Sequence, residues 1–157
     1  MGTAASVSEE LSAGEFRLAV VLSRYNEDIV GALLEGARAA WRAHGGQEAA
    51  LRVERVPGAF ELPLAARAFA LGGSVDAIVA LGCVIRGETA HFEYVAGECA
   101  RGLQRVMLDT GVPVAFGVLT VNTLAQALER TGLGPQNKGH EALETALAMA
   151  SLLRRLR

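Results

Sequence analysis

The sequence predicts a three-layer α/β/α sandwich built on a four-stranded parallel sheet, and three observations carry that prediction. Short aliphatic runs alternate with longer amphipathic stretches along the chain, the order that right-handed crossovers between parallel strands produce. Hydrophobic residues make up 51% of the chain but aromatics only 5%, a balance that suits strands buried on both faces under alanine-rich helices. At 157 residues the chain can bury one sizeable core and not two.

Residues 1–14 are polar and read as a flexible N-terminal segment, and residues 15–157 as a single domain without linker or internal repeat. The first predicted strand is 16–23, followed by an amphipathic helix over 26–44 that Gly45-Gly46 ends. A second strand at 50–56 leads to a helix over 60–71 closed by Gly72-Gly73, and the third strand is 76–81. A helix over 92–109 ends at Gly111, and the fourth strand is 112–119. A short helix follows over 123–131, with Asn122 or Thr123 as its cap. The last helix, 138–156, ends Arg154-Arg155-Leu156-Arg157, where basic residues suit the helix dipole; its apolar stripe suits the core or a subunit contact.

Composition excludes several function classes. A net charge of −2 leaves no basic footprint for nucleic acid. The N-terminus lacks the basic start and apolar core of a signal peptide, and no apolar run is long enough to cross a bilayer, so a cytoplasmic protein without membrane partners is expected. Met1-Gly2 with Ser6 matches the short myristoylation pattern, but no polybasic patch follows, and the match is taken as chance. Cys83 and Cys99 are too few for a metal framework and too far apart for a redox pair, so buried free thiols are expected, without disulfide or zinc. His91-Phe92-Glu93 lacks the Pro-Cys-x-x-Cys partner that a zinc deaminase requires.

In a parallel sheet all strand ends face one rim, where ligands bind. Four loops converge there: Arg24-Tyr25-Asn26, Pro57-Gly58-Ala59-Phe60-Glu61, the stretch 83–91, and 119–123. The third is the richest. It holds Arg86, Glu88, Thr89 as a helix cap, and His91 in the first turn of the next helix, where backbone N–H groups favour anions. His91 is suited to proton transfer near neutral pH; capping the helix is the plainer alternative.

The other groups carry two readings each. Tyr25 and Phe60 either close the core or stack on a ligand ring. Glu61 is an acid favoured at a helix start, or an acceptor for hydroxyl and ring N–H groups. Arg130 suits the end of its helix, and its planar fork equally suits a phosphate. Lys138 is the sole lysine among fifteen basic residues. His44 and His140 read as structural.

Taken as a set, Arg24-Tyr25-Asn26, Val56-Pro57-Gly58-Ala59-Phe60-Glu61-Leu62-Pro63, Gly82-Cys83-Val84-Ile85-Arg86-Gly87-Glu88-Thr89-Ala90-His91-Phe92, Gly111-Val112-Pro113-Val114-Ala115-Phe116-Gly117 and Asn137-Lys138-Gly139 resemble the lumazine synthase family of riboflavin biosynthesis. The resemblance runs from about residue 16 to the C-terminus. It implies a flavodoxin-like fold and a cofactor-free condensation of 5-amino-6-(D-ribitylamino)uracil with 3,4-dihydroxy-2-butanone 4-phosphate. It implies that Tyr25, Asn26, Gly58, Ala59, Phe60, Glu61, Cys83, Val84, Ile85, Phe116 and Lys138 hold the pyrimidine and its ribityl chain. The amides of Glu88 and Thr89 with Arg130 would bind phosphate, and His91 would move protons.

The resemblance also implies a homopentamer with sites between subunits, Phe116, Arg130 and Lys138 facing the adjacent chain, and Glu141 orienting Arg130. Twelve pentamers in a shell, association with riboflavin synthase, and an N-terminal segment added to a neighbouring subunit's sheet belong to the same expectation. Tyr25 stands where the family usually has phenylalanine or tryptophan. Thr131-Gly132-Leu133-Gly134-Pro135-Gln136 lacks the lysine of shell-forming relatives, which leaves pentamer or shell open. A flavin- or lumazine-binding carrier or a cage protein of the same fold without turnover, and the related archaeal-type riboflavin synthase, are the rival readings; Arg130 with Glu88 and Thr89, a phosphate set, argues against the synthase, and a cage would need none of these groups.

Overall fold

The structure, a computed structural model, describes residues 10–157. The myristoylation pattern, the extra strand on a neighbour, and most of the expected flexible segment therefore lie outside the described residues. At the described end Ala13 is buried, its N–H donates to His44 O at 2.8 Å, and Leu11 packs on the core. The chain is thus already docked before residue 15.

The β-branched and leucine-rich runs form four strands, β1 (Leu18–Ser23), β2 (Leu51–Val56), β3 (Ala77–Ile85) and β4 (Val114–Val121). All pair in parallel in the order β2-β1-β3-β4. The helices are α1 (Glu27–Ala43), α2 (Leu62–Gly72), α3 (His91–Thr110), α4 (Leu124–Glu129) and α5 (Lys138–Leu156). Alternation along β1 divides the core. Leu18, Val20 and Leu22 join α1 and α5 on one face, while Ala19 and Val21 join α2 and α3 on the other. This is the expected three-layer, flavodoxin-like sandwich. Among the described residues no helix is long and apolar enough to cross a membrane.

Two strands run further toward the rim than the sequence predicts. β3 continues through Gly82 to Ile85 because Cys83, Val84 and Ile85 pair with Leu119, Thr120 and Val121, which also carries β4 beyond residue 119. Helix ends follow local chemistry. Gly73 and Gly111 take left-handed φ of 70° and 73° as terminators of α2 and α3. Thr123 forms a capping box with Gln126 at the start of α4, and α4 is short enough to leave Arg130 as its C-cap.

A tight crossing of α1 and α5 sets the height of the last helix. Asn137 Oδ1 accepts from Gly139 N at 2.8 Å and His140 N at 3.2 Å, while its Nδ2 donates to Ala32 O at 3.0 Å. Two glycines make room for it. A Cβ on Gly36 would sit 2.0 Å from Asn137 Oδ1, and one on Gly139 would sit 1.9 Å from Leu33 O. The histidines expected to be structural also lie between these helices, both on Glu144 Oε1, His44 Nε2 at 3.1 Å and His140 Nε2 at 2.8 Å.

Candidate active site

The rim is assembled by backbone ties between strand ends. Arg24 N donates to Val56 O at 3.0 Å, and Asn26 Nδ2 donates to Cys83 O at 3.0 Å. Asn26 has φ 58°, the one positive φ outside glycine among the described residues, a conformation asparagine tolerates better than most. Tyr25 is 72% and Phe60 58% exposed, so neither aromatic closes the core. A Cβ on Gly58 would sit 3.2 Å from Glu61 Oε2 and 3.3 Å from Tyr25 Cδ2. The phenol ring and the carboxylate therefore flank a bare stretch of backbone, with Ala59 and Cys83 buried beneath the rim and Val84 and Ile85 half-buried.

Burial pushes the Cys83 and Cys99 thiols up to about 11, which makes them packing groups rather than nucleophiles at neutral pH. Among the described residues no group of three histidine, cysteine or acidic side chains is placed to hold a metal ion.

Next along the rim, residues 86–91 stay exposed and deliver His91 as the first residue of α3. Thr89 is not the N-cap the sequence suggested. Ala90 takes that position in helical conformation, and Thr89 Oγ1 makes only a 3.4 Å contact with His91 N. The hydroxyl is thereby left largely uncommitted beside the amides of the loop. Such a cluster of free donors at the positive end of a helix suits an anion.

The remaining candidates lie elsewhere. Phe116, Arg130 and Lys138 line a groove of about 510 Å³ along the outer edge of β4, with Asn122, Gln126 and Glu141. Phe116 is 47% exposed and pairs in register with Ala80, below the rim. Val121 at the rim end is five positions further along the strand, a drop of roughly 17 Å. One chain therefore holds two aromatics with the acidic and imidazole groups on its rim, and a third aromatic with Arg130 and Lys138 along its edge. Arg130 NH1 donates to Gln126 O at 2.8 Å, and Lys138 N donates to Arg130 O at 2.9 Å. Glu141 does not orient Arg130 as the resemblance implied; it pairs with Lys138 Nζ at 2.8 Å, because residues three apart share a helix face.

Several residues that shape this region carry no site role in the sequence, which marks Asn122 only as a helix cap and Asn137 only as part of a motif. Asn137, immediately before α5, carries an ordinary capping signal. Gln126 and Asn122 stiffen the β4–α4 turn, Asn122 N donating to Gln126 Oε1 at 2.7 Å. Ser23 at the end of β1 is buried, and among the described residues its Oγ has no hydrogen-bond partner.

A family model described as 6,7-dimethyl-8-ribityllumazine synthase matches residues 15–154, nearly the whole described chain and every loop above. The chain therefore belongs to the lumazine synthase family, transferases of riboflavin biosynthesis.

Proposed function

We propose that the protein condenses 5-amino-6-(D-ribitylamino)uracil with 3,4-dihydroxy-2-butanone 4-phosphate to 6,7-dimethyl-8-ribityllumazine, releasing phosphate and water, without a cofactor. The observation that carries this reading is the division of one chain into a rim half, Tyr25 with Glu61 and His91, and an edge half, Phe116 with Arg130 and Lys138. Apposing the rim of one subunit to the edge of another makes a complete site, and it covers the exposed Leu124, Leu128 and Leu133 near the edge half. Cyclic packing of five such copies satisfies the same contact at every interface. Association with riboflavin synthase and a cytoplasmic location belong to the same proposal, which leaves open whether assembly ends at the pentamer or goes on to a shell of twelve.

The pyrimidine stacks on Tyr25 and Phe60, with Phe116 of the neighbouring copy closing the pocket, and the ribityl hydroxyls donate to Glu61. Asn26, Gly58, Ala59 and residues 83–85 shape the wall, largely through backbone. The ketone phosphate is held by the Glu88 and Thr89 amides and a neighbour's Arg130, whose fork matches phosphate oxygens. The amine of the pyrimidine attacks the ketone carbon, water leaves to form the imine, a C–H proton is removed as phosphate departs, and the second amine closes the ring with loss of water. His91 takes and returns these protons. Holding two reactants together removes much of the bimolecular entropy cost, so positioning provides most of the acceleration.

The test is product absorbance on mixing both substrates, with Arg130→Ala alongside and uncatalysed condensation subtracted. Turnover that falls in the variant mainly through a higher KM for the ketone phosphate is expected. No rate above background, with tight flavin binding, would replace this reading with a carrier.

A further inference from the structure

Arg86 belongs to the richest loop of the chain, yet neither the pyrimidine site nor the anion site uses its side chain. We propose that Arg86 is a positioning residue whose guanidinium clamps the first turn of α3, which begins with His91, to the β4–α4 turn that leads into α4, the helix that Arg130 caps at its other end. The inference rests on the lumazine-forming reading of the site.

The guanidinium lies 4.4 Å over the ring of Phe92 and pairs with Glu93, the two residues that follow His91. Its Nε donates to Asn122 Oδ1 at 3.0 Å, thirty-six positions away in sequence, and its backbone N–H donates to Val121 O at 2.9 Å. From Asn122 the connection continues. Asn122 N and Thr123 N donate to Gln126 Oε1 at 2.7 and 3.3 Å, Gln126 O accepts from Arg130 NH1, and Arg130 O accepts from Lys138 N. A single hydrogen-bonded path thus joins the start of α3 to both cations of the groove.

The Arg86–Glu93 pair is about half exposed, and exposed ion pairs add little stability. What the arrangement supplies is geometry: stacking on Phe92, an NH1 pairing with Glu93 and an Nε contact with the Asn122 amide, all from one rigid plane. A lysine ammonium cannot reproduce all three. The Glu93 carboxyl is held below its usual range, chiefly by the Arg86 hydrogen bond, consistent with a charge pair that is formed throughout the neutral range.

The experiment compares wild type with Arg86→Lys by steady-state kinetics and by carbon-resolved NMR of the histidine rings. The chain has three histidines, and His44 and His140 sit on Glu144 between α1 and α5, outside the clamp. In Arg86→Lys we expect the His91 resonance alone to move and kcat to fall roughly tenfold, the scale of a small misplacement of a reacting group, with KM for the pyrimidine within about twofold. An unmoved His91 resonance, or an unchanged kcat, overturns the proposal. If Arg86→Lys fails to fold, Asn122→Ala removes only the acceptor and is judged by the same two readings. If wild type forms no lumazine, the reaction reading fails, and the His91 resonance alone upholds or overturns the clamp.

Discussion

Asn26 Nδ2 reaches across the rim to the carbonyl oxygen of Cys83 at 3.0 Å, from a backbone held at φ 58°. The side chain thereby ties the loop that presents Tyr25 to the strand end that leads into the anion loop. Conformation and hydrogen bond can be separated by substitution. Asn26→Gly keeps the left-handed turn and loses the bond, whereas Asn26→Ala loses both. Urea unfolding is expected to show a loss of about 1 kcal/mol for the glycine variant and about 1 kcal/mol more for alanine. Equal losses would show that the backbone conformation carries no strain.

Gly36 and Gly31 lie on the same helix and should respond oppositely to alanine. At Gly36 the new Cβ would overlap the Asn137 amide, 2.0 Å from Oδ1, whereas at Gly31 nothing lies within 4 Å. Gly36→Ala must push α5 away and open its cap, at a cost of about 3 kcal/mol. Gly31→Ala should stabilise by about 0.5 to 1 kcal/mol through helix propensity. Thermal unfolding of the two variants distinguishes them by sign.

How far the sequence could be read follows from which interactions are local. Strand and helix order, the aliphatic core and the four rim loops come from periodicity and from glycine and proline punctuation, all short-range signals. Sequence places the end of β3 too early because Gly82 looks like a loop start. What overrides it is pairing of Cys83 with Leu119, a contact thirty-six residues apart. The Arg86–Asn122 contact spans the same separation, and the Gly36–Asn137 notch is longer still. The partner of Glu141 depended on which cation shared its helix face, and the resemblance pointed to the wrong one. Tyr25 and Phe60 were undecidable until the rim showed both exposed.

The two thiols make alkaline stability a test of the core. Burial raises Cys83 and Cys99 from 9.0 to about 11. Below pH 9 both folded and unfolded chains hold these protons, so the contribution is complete. As pH rises from about 9 to 11 the unfolded chain ionises first, and stability is lost. The urea midpoint should therefore fall between pH 8 and 10.5. Replacing both cysteines by alanine should flatten that slope while lowering stability at pH 8, and an unchanged slope would rule out these thiols as its source.

His91→Ala should be slowed rather than inactive, because positioning provides most of the acceleration. A loss of kcat of roughly 100-fold, within the ordinary range of general acid–base contributions, with KM for both substrates nearly unchanged, is expected from initial rates. A rate indistinguishable from uncatalysed condensation would mean that proton transfer, not proximity, dominates.

Whether the rim and edge halves come from different subunits is decided by mixing two defective chains. His91 sits at the start of α3, while Arg130 lies in the groove along the outer edge of β4 with Phe116. If each site takes His91 from one copy and Arg130 from the next, His91→Ala and Arg130→Ala chains co-refolded in equal amounts pair at random. About a quarter of the resulting interfaces then join an intact His91 to an intact Arg130. Activity of the mixture should rise to roughly that fraction of wild type, well above the mean of the two variants assayed alone. If both groups serve a site within one chain, every site keeps one defect, and the mixture stays at that mean.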